Sequence, residues 1–188
     1  MKYCVCFFPL IGVVIGLLMR GWFWLSQTAG FGVTFRTCVL ILIPVAVSGG
    51  IHLDGLLDTA DALSSYKSRE EKLEILKDSH AGAFAIIVGI CYFVLSFGIY
   101  SEMTADRLAV LSWGFALSRA FAGFGLVQLK KAKNTGLLRT FSDAAANRRV
   151  AAVMAVYIGA AVVLMVCAGG LTGGICAAGA LLSFVWYR

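Results

Sequence analysis

The sequence predicts an all-α fold: a polytopic transmembrane bundle of about six spans with a short cytoplasmic amphipathic helix. Three observations predict it. Of 188 residues, 60% are hydrophobic and only 14% are charged, and the mean hydropathy is +0.88, whereas a soluble domain carries about 25% charged residues. The apolar residues gather into runs near the roughly 20 residues that cross a bilayer. The lysines and arginines collect between those runs, as they do in cytoplasmic loops. With 2 prolines and no triplet glycine period, collagen and disorder are excluded. The net charge of +6 reads as loop cations facing anionic lipid and not as a nucleic-acid surface, because no basic stripe alternates with exposed aromatics.

The spans follow in order. The first runs from about Tyr3 to Met19 and continues into Arg20-Gly21-Trp22-Phe23 without a small-residue cleavage pattern, so it reads as a retained span. The second, about Thr37 to Val47, is short unless it continues into the next segment. Ala83 to Tyr100, Leu108 to Leu129, Val150 to Ala168 and Leu171 to Trp186 complete the set. Segment 66–82 holds Lys67, Arg69, Lys72 and Lys77, and segment 128–149 holds Lys130, Lys131, Lys133, Arg139, Arg148 and Arg149 against Asp143. Placing both in the cytoplasm puts 101–107 and the pair Trp22 and Trp24 outside, and both termini inside. Six cysteines lie mostly in apolar runs with no C-x-x-C pair and no zinc spacing, so they read as small apolar fillers.

One stretch carries chemistry. Asp54, Asp58 and Asp61 fall within eight residues, with no Lys or Arg between 37 and 66 to neutralise them. On a helix Asp58 lies roughly 40° around from Asp54 and Asp61 roughly 20° the other way, so all three share a face. Stacked carboxylates repel, and near a membrane the cost rises. Oxygen-only ligands then point to a hard cation, Mg²⁺ or Mn²⁺. Gly49, Gly50 and Gly55 would let backbone or a phosphate approach closely. Ser68 with Glu71 forms the S-x-x-E box that opens a helix. Glu74 and Asp78, four residues apart, either complete the metal site or serve as solvated partners of Lys77 and Lys72. His52 and His80 each read equally as a ligand or proton carrier and as a hydrogen-bonded structural residue. Arg119, inside the fourth span, reads as a partner for the aspartates or a substrate phosphate, with snorkelling as the alternative.

The run Gly49-Gly50-Ile51-His52-Leu53-Asp54-Gly55-Leu56-Leu57-Asp58-Thr59-Ala60-Asp61, followed by Glu74-Ile75-Leu76-Lys77-Asp78-Ser79-His80-Ala81-Gly82, closely resembles the cobalamin synthase family of adenosylcobinamide-GDP ribazoletransferases. Phe7-Phe8-Pro9-Leu10-Ile11-Gly12 is similar to the family's first span, and Leu117-Ser118-Arg119 to a later motif. The resemblance implies an inner-membrane enzyme with its active site facing the cytoplasm. It implies transfer of α-ribazole, or its 5′-phosphate, to adenosylcobinamide-GDP with release of GMP, dependent on Mg²⁺. It further implies Asp54, Asp58 and Asp61 as metal ligands, joined by Glu74 and Asp78. Catalytic roles would fall to the same three aspartates with His52, and phosphate contacts to Arg119, Lys77, Gly49, Gly50 and Gly55. Partners would be the corrinoid nucleotide, α-ribazole and the lipid bilayer, without nucleic acid; a homo-oligomer stays open.

Six residues precede Phe7, fewer than the family usually has. In Gly169-Gly170-Leu171-Thr172-Gly173-Gly174 the last glycine stands where a family G-G-x-T-G-D motif has aspartate, so this stretch reads as a tight turn between spans. Residues 1–188 therefore read as one integral-membrane catalytic domain, shortened at both ends relative to the family and lacking its C-terminal portion. Three rival readings stand beside this one. A CDP-alcohol phosphotransferase would need D-x-x-D-G-x-x-A-R, which is not met. An ion-coupled transporter would place its carboxylates at the midplane of repeated halves, and no repeat is visible. The third is an inactive truncated remnant.

Overall fold

A computed structural model describes residues 3–78, 80–128 and 147–187. Lys130, Lys131, Lys133, Arg139 and Asp143, on which part of the orientation rests, lie outside the described residues, as does Ser79. A 3₁₀ turn, Cys4–Phe7, leads into α1 (Phe8–Thr28), α2 (Val33–Ser48), α3 (Ile51–Ser64), α4 (Arg69–Ile75), α5 (Ala83–Ser101), α6 (Ala105–Gln128) and α7 (Asn147–Tyr187). Among the described residues there is no strand. The chain divides into two compact units, Met1–Trp24 with Thr104–Arg188, and Leu25–Met103.

In the first unit α1 meets α6 at a G-x-x-x-G pair. A Cβ on Gly12 would fall 2.4 Å from the Phe115 carbonyl oxygen, and one on Gly16 2.8 Å from Ser112. Two backbones come this close in lipid because packing, and not exclusion of water, drives association there, which favours small residues. Ser112 sits in the contact, its hydroxyl donating to the Leu108 carbonyl at 2.7 Å and reaching the Gly16 carbonyl at 3.3 Å. Both of its acceptors are backbone, so this hydroxyl is paired within the protein.

α7 is two helical arms joined at Gly170, whose φ of 54° and ψ of −127° lie outside any helix. A straight helix would hold Ala161 and Ala177 roughly 24 Å apart at 1.5 Å per residue. Instead both pack in one core with Met165 and with Val110, Leu117 and Phe121 of α6. A Cβ on Gly173 would fall 1.9 Å from the Met165 carbonyl oxygen. The arms therefore fold back on each other. Phe184 of the second arm stacks on Phe121 with ring centroids 4.6 Å apart, and the first arm adds Met154 and Val150 to Leu126 and Val5. The tight turn expected at Gly169–Gly174 is present, and the two arms lie where the fifth and sixth apolar runs were expected.

In the second unit α5 packs against α2 and α3, and α4 against α3. A span of 19 residues, α5 is about 28 Å long, close to the hydrocarbon thickness. Ile86, Ile87, Ile90, Val94, Leu95 and Ile99 are all exposed on it, which suits lipid and not water. By length and composition four helices can cross a membrane: Cys4–Thr28, α5, α6 and Arg148–Trp186. α2 and α3 together make a fifth candidate, bent by 91°. The chain is thus an all-α integral membrane protein. The short second run predicted at Thr37 to Val47 lies within α2, and α3 follows it at 91°.

The α1–α6 contact yields a test on one helix. Gly12→Ala puts a methyl into the Phe115 and Ala116 backbone and should cost about 1–3 kcal/mol, as overpacking does. Gly21→Ala meets no heavy atom within 4 Å and should gain up to about 1 kcal/mol from helix propensity. Thermal midpoints of the purified protein in detergent should move in opposite directions.

Candidate active site on the acidic helix

The site starts from the way α2 ends. Gly49 takes a left-handed φ of 61° and Gly50 a φ of 76°, conformations that cost a glycine nothing. The Gly49 N–H bonds the Ala46 carbonyl at 3.2 Å and the Gly50 N–H the Val45 carbonyl at 2.9 Å, the paired bonds of a Schellman cap. α3 then leaves at its steep angle. The sequence gives these glycines to the close approach of backbone or a phosphate; their left-handed conformation is a further reason for glycine at both. A Cβ on Gly49, Gly50 or Gly55 would meet nothing within 4 Å, so the surface over the start of α3 is open.

α3 carries Asp54, Asp58 and Asp61 on one face, as its helical periodicity dictates. Asp54 is exposed, and Asp58 and Asp61 are half-buried. Asp61 is turned toward α5. Its Oδ2 accepts the Gly82 N–H at 2.6 Å and its Oδ1 the Ala85 N–H at 2.8 Å. His52 is exposed in the first turn, roughly 160° around the helix from Asp54. The helix carries it on the side away from the aspartates.

The segment after α3 folds on local bonds. The Ser68 hydroxyl oxygen accepts the Glu71 N–H at 3.3 Å, and Glu71 Oε2 accepts the Ser68 N–H at 3.1 Å, the capping box read from the sequence. Hydrogen bonds from the Ser68 hydroxyl and amide hold the Glu71 carboxyl below its usual range. Leu73, Ile75 and Leu76 give α4 its half-buried side. Glu74 pairs with Lys77 at 2.5 Å, both exposed. Asp78 Oδ1 accepts the His80 N–H at 3.0 Å and lies 2.7 Å from His80 Nδ1. These bonds from His80 keep the Asp78 carboxyl low. Glu74, Asp78 and Lys77 thus engage neighbours on their own segment, in exposed pairs that water keeps weak.

Among the described residues no three His, Cys, Asp or Glu side chains gather as a metal-binding group. Asp54 and Asp58, one turn apart, do fit Mg²⁺, which retains water and is commonly held by one or two carboxylates together with substrate phosphate. Arg119 belongs to the first unit, buried on α6. Sequence reading held the bond of His80 to Asp78 as one of two alternatives and missed that of Asp61 to α5. The first had a signal, since aspartate commonly bonds the amide two residues on. The second had a faint one: α5 begins at Gly82, which has no side chain to cap it.

Against known proteins, the model of the family described as cobalamin-5-phosphate synthase matches residues 1–188. An adenosylcobinamide-GDP ribazoletransferase of Lachnoclostridium phytofermentans is 43% identical over 188 residues, all of this chain and 72% of that protein. Proteins of the same name from Geobacillus sp. and Clostridium perfringens are 31% and 27% identical over 89% and 84% of this chain. The chain spans 64% and 63% of their lengths, less than two thirds. No solved structure matches.

The capping box sets a pH dependence. A carboxyl held low in the folded state stabilises it above the unfolded pKa, here 4.5, and loses that contribution as pH falls through the lower folded value. Protection factors of the first amides of α4 should therefore be flat from pH 7 to 5 and fall below 4.5. Ser68→Ala should lower them at pH 7 and flatten the acid limb, read by hydrogen exchange with mass spectrometry.

Proposed function

This chain belongs to the cobalamin-5-phosphate synthase family, and from that premise we propose that it is an adenosylcobinamide-GDP ribazoletransferase. It joins α-ribazole, or its 5′-phosphate, to adenosylcobinamide-GDP and releases GMP. The observation that carries this reading is the family match over residues 1–188, which takes in the whole acidic helix.

The ribazole hydroxyl attacks the cobinamide-side phosphorus of the pyrophosphate; the bond from that phosphorus to the bridging oxygen breaks, and GMP leaves. Asp54 and Asp58 would hold Mg²⁺. When bound, the ion offsets negative charge on the pyrophosphate oxygens. The chain's own residues do the remaining work. Gly55 lies between the two aspartates with no side chain over the helix surface, so a phosphate can come close to it. Gly49 and Gly50 leave the start of α3 uncovered for the same group. Lys77 exchanges its exposed partner Glu74 for phosphate at little cost, since such a pair is weak. With segment 66–82 rich in lysine and arginine, the acidic helix faces the cytoplasm of a bacterial inner membrane.

Purified protein in liposomes, given adenosylcobinamide-GDP, α-ribazole and Mg²⁺, is expected to release GMP and form the joined corrinoid. EDTA should abolish both. Asp54→Asn and Asp58→Asn should each lower kcat/KM by at least about 100-fold, the size of a lost contact to developing charge. Turnover of a CDP-alcohol without any corrinoid would overturn the reading.

A further inference from the structure

The three aspartates of α3 look equivalent in the sequence, but their surroundings differ. Gly82 and Ala85 are the N-cap and the third helical residue of α5. In a capping box two side chains share the work: the N-cap side chain takes the amide of the third residue, and that residue's side chain takes the amide of the N-cap. Here one carboxylate does both, from 21 and 24 residues away. α5 has nothing of its own to offer, since Gly82 has no side chain and Ala85 only a methyl. A Cβ on Gly82 would lie 2.7 to 2.8 Å from the Asp61 carboxylate atoms, so the glycine is what admits the carboxylate. Ala85 is itself buried, at 1% exposure.

We infer that Asp61 is a positioning residue, neither metal ligand nor base: it caps α5 across the fold and so fixes the acidic helix against a membrane-spanning one. Each carboxylate oxygen accepts one charge-assisted bond from an amide that opens an apolar helix. Turning the group toward a cation would take the partner from the amide of Ala85, a buried residue. The negative charge also sits at the positive end of the α5 dipole. Asp54 and Asp58 are then the cation-facing pair. That division of roles rests on the transferase reading; the cap itself does not.

The test uses the full chain in detergent and three readouts. Amide exchange across 82–85 should quicken at least about tenfold in Asp61→Ala, since two bonds are lost, and by less in Asp61→Asn, which keeps one acceptor. Gly82→Ala should quicken it with the carboxylate still in place, and Asp54→Asn and Asp58→Asn should leave it as in wild type. Mn²⁺ alone, titrated by loss of its free resonance signal, should bind Asp61→Asn within about twofold of wild type and bind the Asp54 and Asp58 variants at least tenfold more weakly. In GMP release, Asp61→Asn should lower kcat with the half-saturating Mg²⁺ unchanged. Wild-type exchange in Asp61→Asn and Gly82→Ala, or loss of Mn²⁺ binding in Asp61→Asn equal to that in Asp54→Asn, would overturn the inference. If wild type releases no GMP, the transferase reading fails, while exchange and Mn²⁺ binding still decide the role of Asp61.

Discussion

A backbone amide entering an apolar region must bring its partner with it, because no water is there to serve. Most amides meet this demand inside their own helix; the ends cannot, since the first N–H groups and last carbonyls of a helix have no internal partner. At the close of α2 the Gly49 and Gly50 amides turn back onto Ala46 and Val45. At the opening of α4, outside the apolar runs, a serine and a glutamate serve each other. At the opening of α5 the nearest local side chains are hydrogen and methyl, and the acceptor comes from another helix. The acidic helix is held in place by the same bonds that let α5 begin.

Between helices the rule is different. Lipid tails are as apolar as leucine, so contact is gained by shape. Gly12 and Gly16 let α1 lie on the α6 backbone, Gly123 accepts the Met154 sulfur, and Gly169 receives Val110. Larger side chains then close the contacts that the small ones permit, as where Phe184 stacks on Phe121.

The site's charges follow from where water reaches. Glu74 with Lys77 and Asp78 with His80 sit in exposed pairs that cost little to break. Asp58 and Asp61 are half-buried, where a carboxylate needs a compensating partner more urgently. Asp61 finds it in backbone amides. In the proposed reaction a cation stands beside Asp54 and Asp58.

Local pattern determined much of this protein. The apolar runs gave the spans, Ser68 and Glu71 gave the start of α4, the glycines at 169–174 gave a turn, and the eight residues from Asp54 to Asp61 gave a shared face; each of these depends only on neighbours a few positions away. The G-x-x-x-G of α1 was equally local and went unread. What tertiary structure alone decided is the difference among three like residues, and the corner at Gly49-Gly50 that sets α3 at 91° to α2. Spacing places a carboxylate on a face but says nothing of what that face meets. Only when α3 lies against α5 do the Gly82 and Ala85 amides, 21 and 24 residues on, come within reach of Asp61.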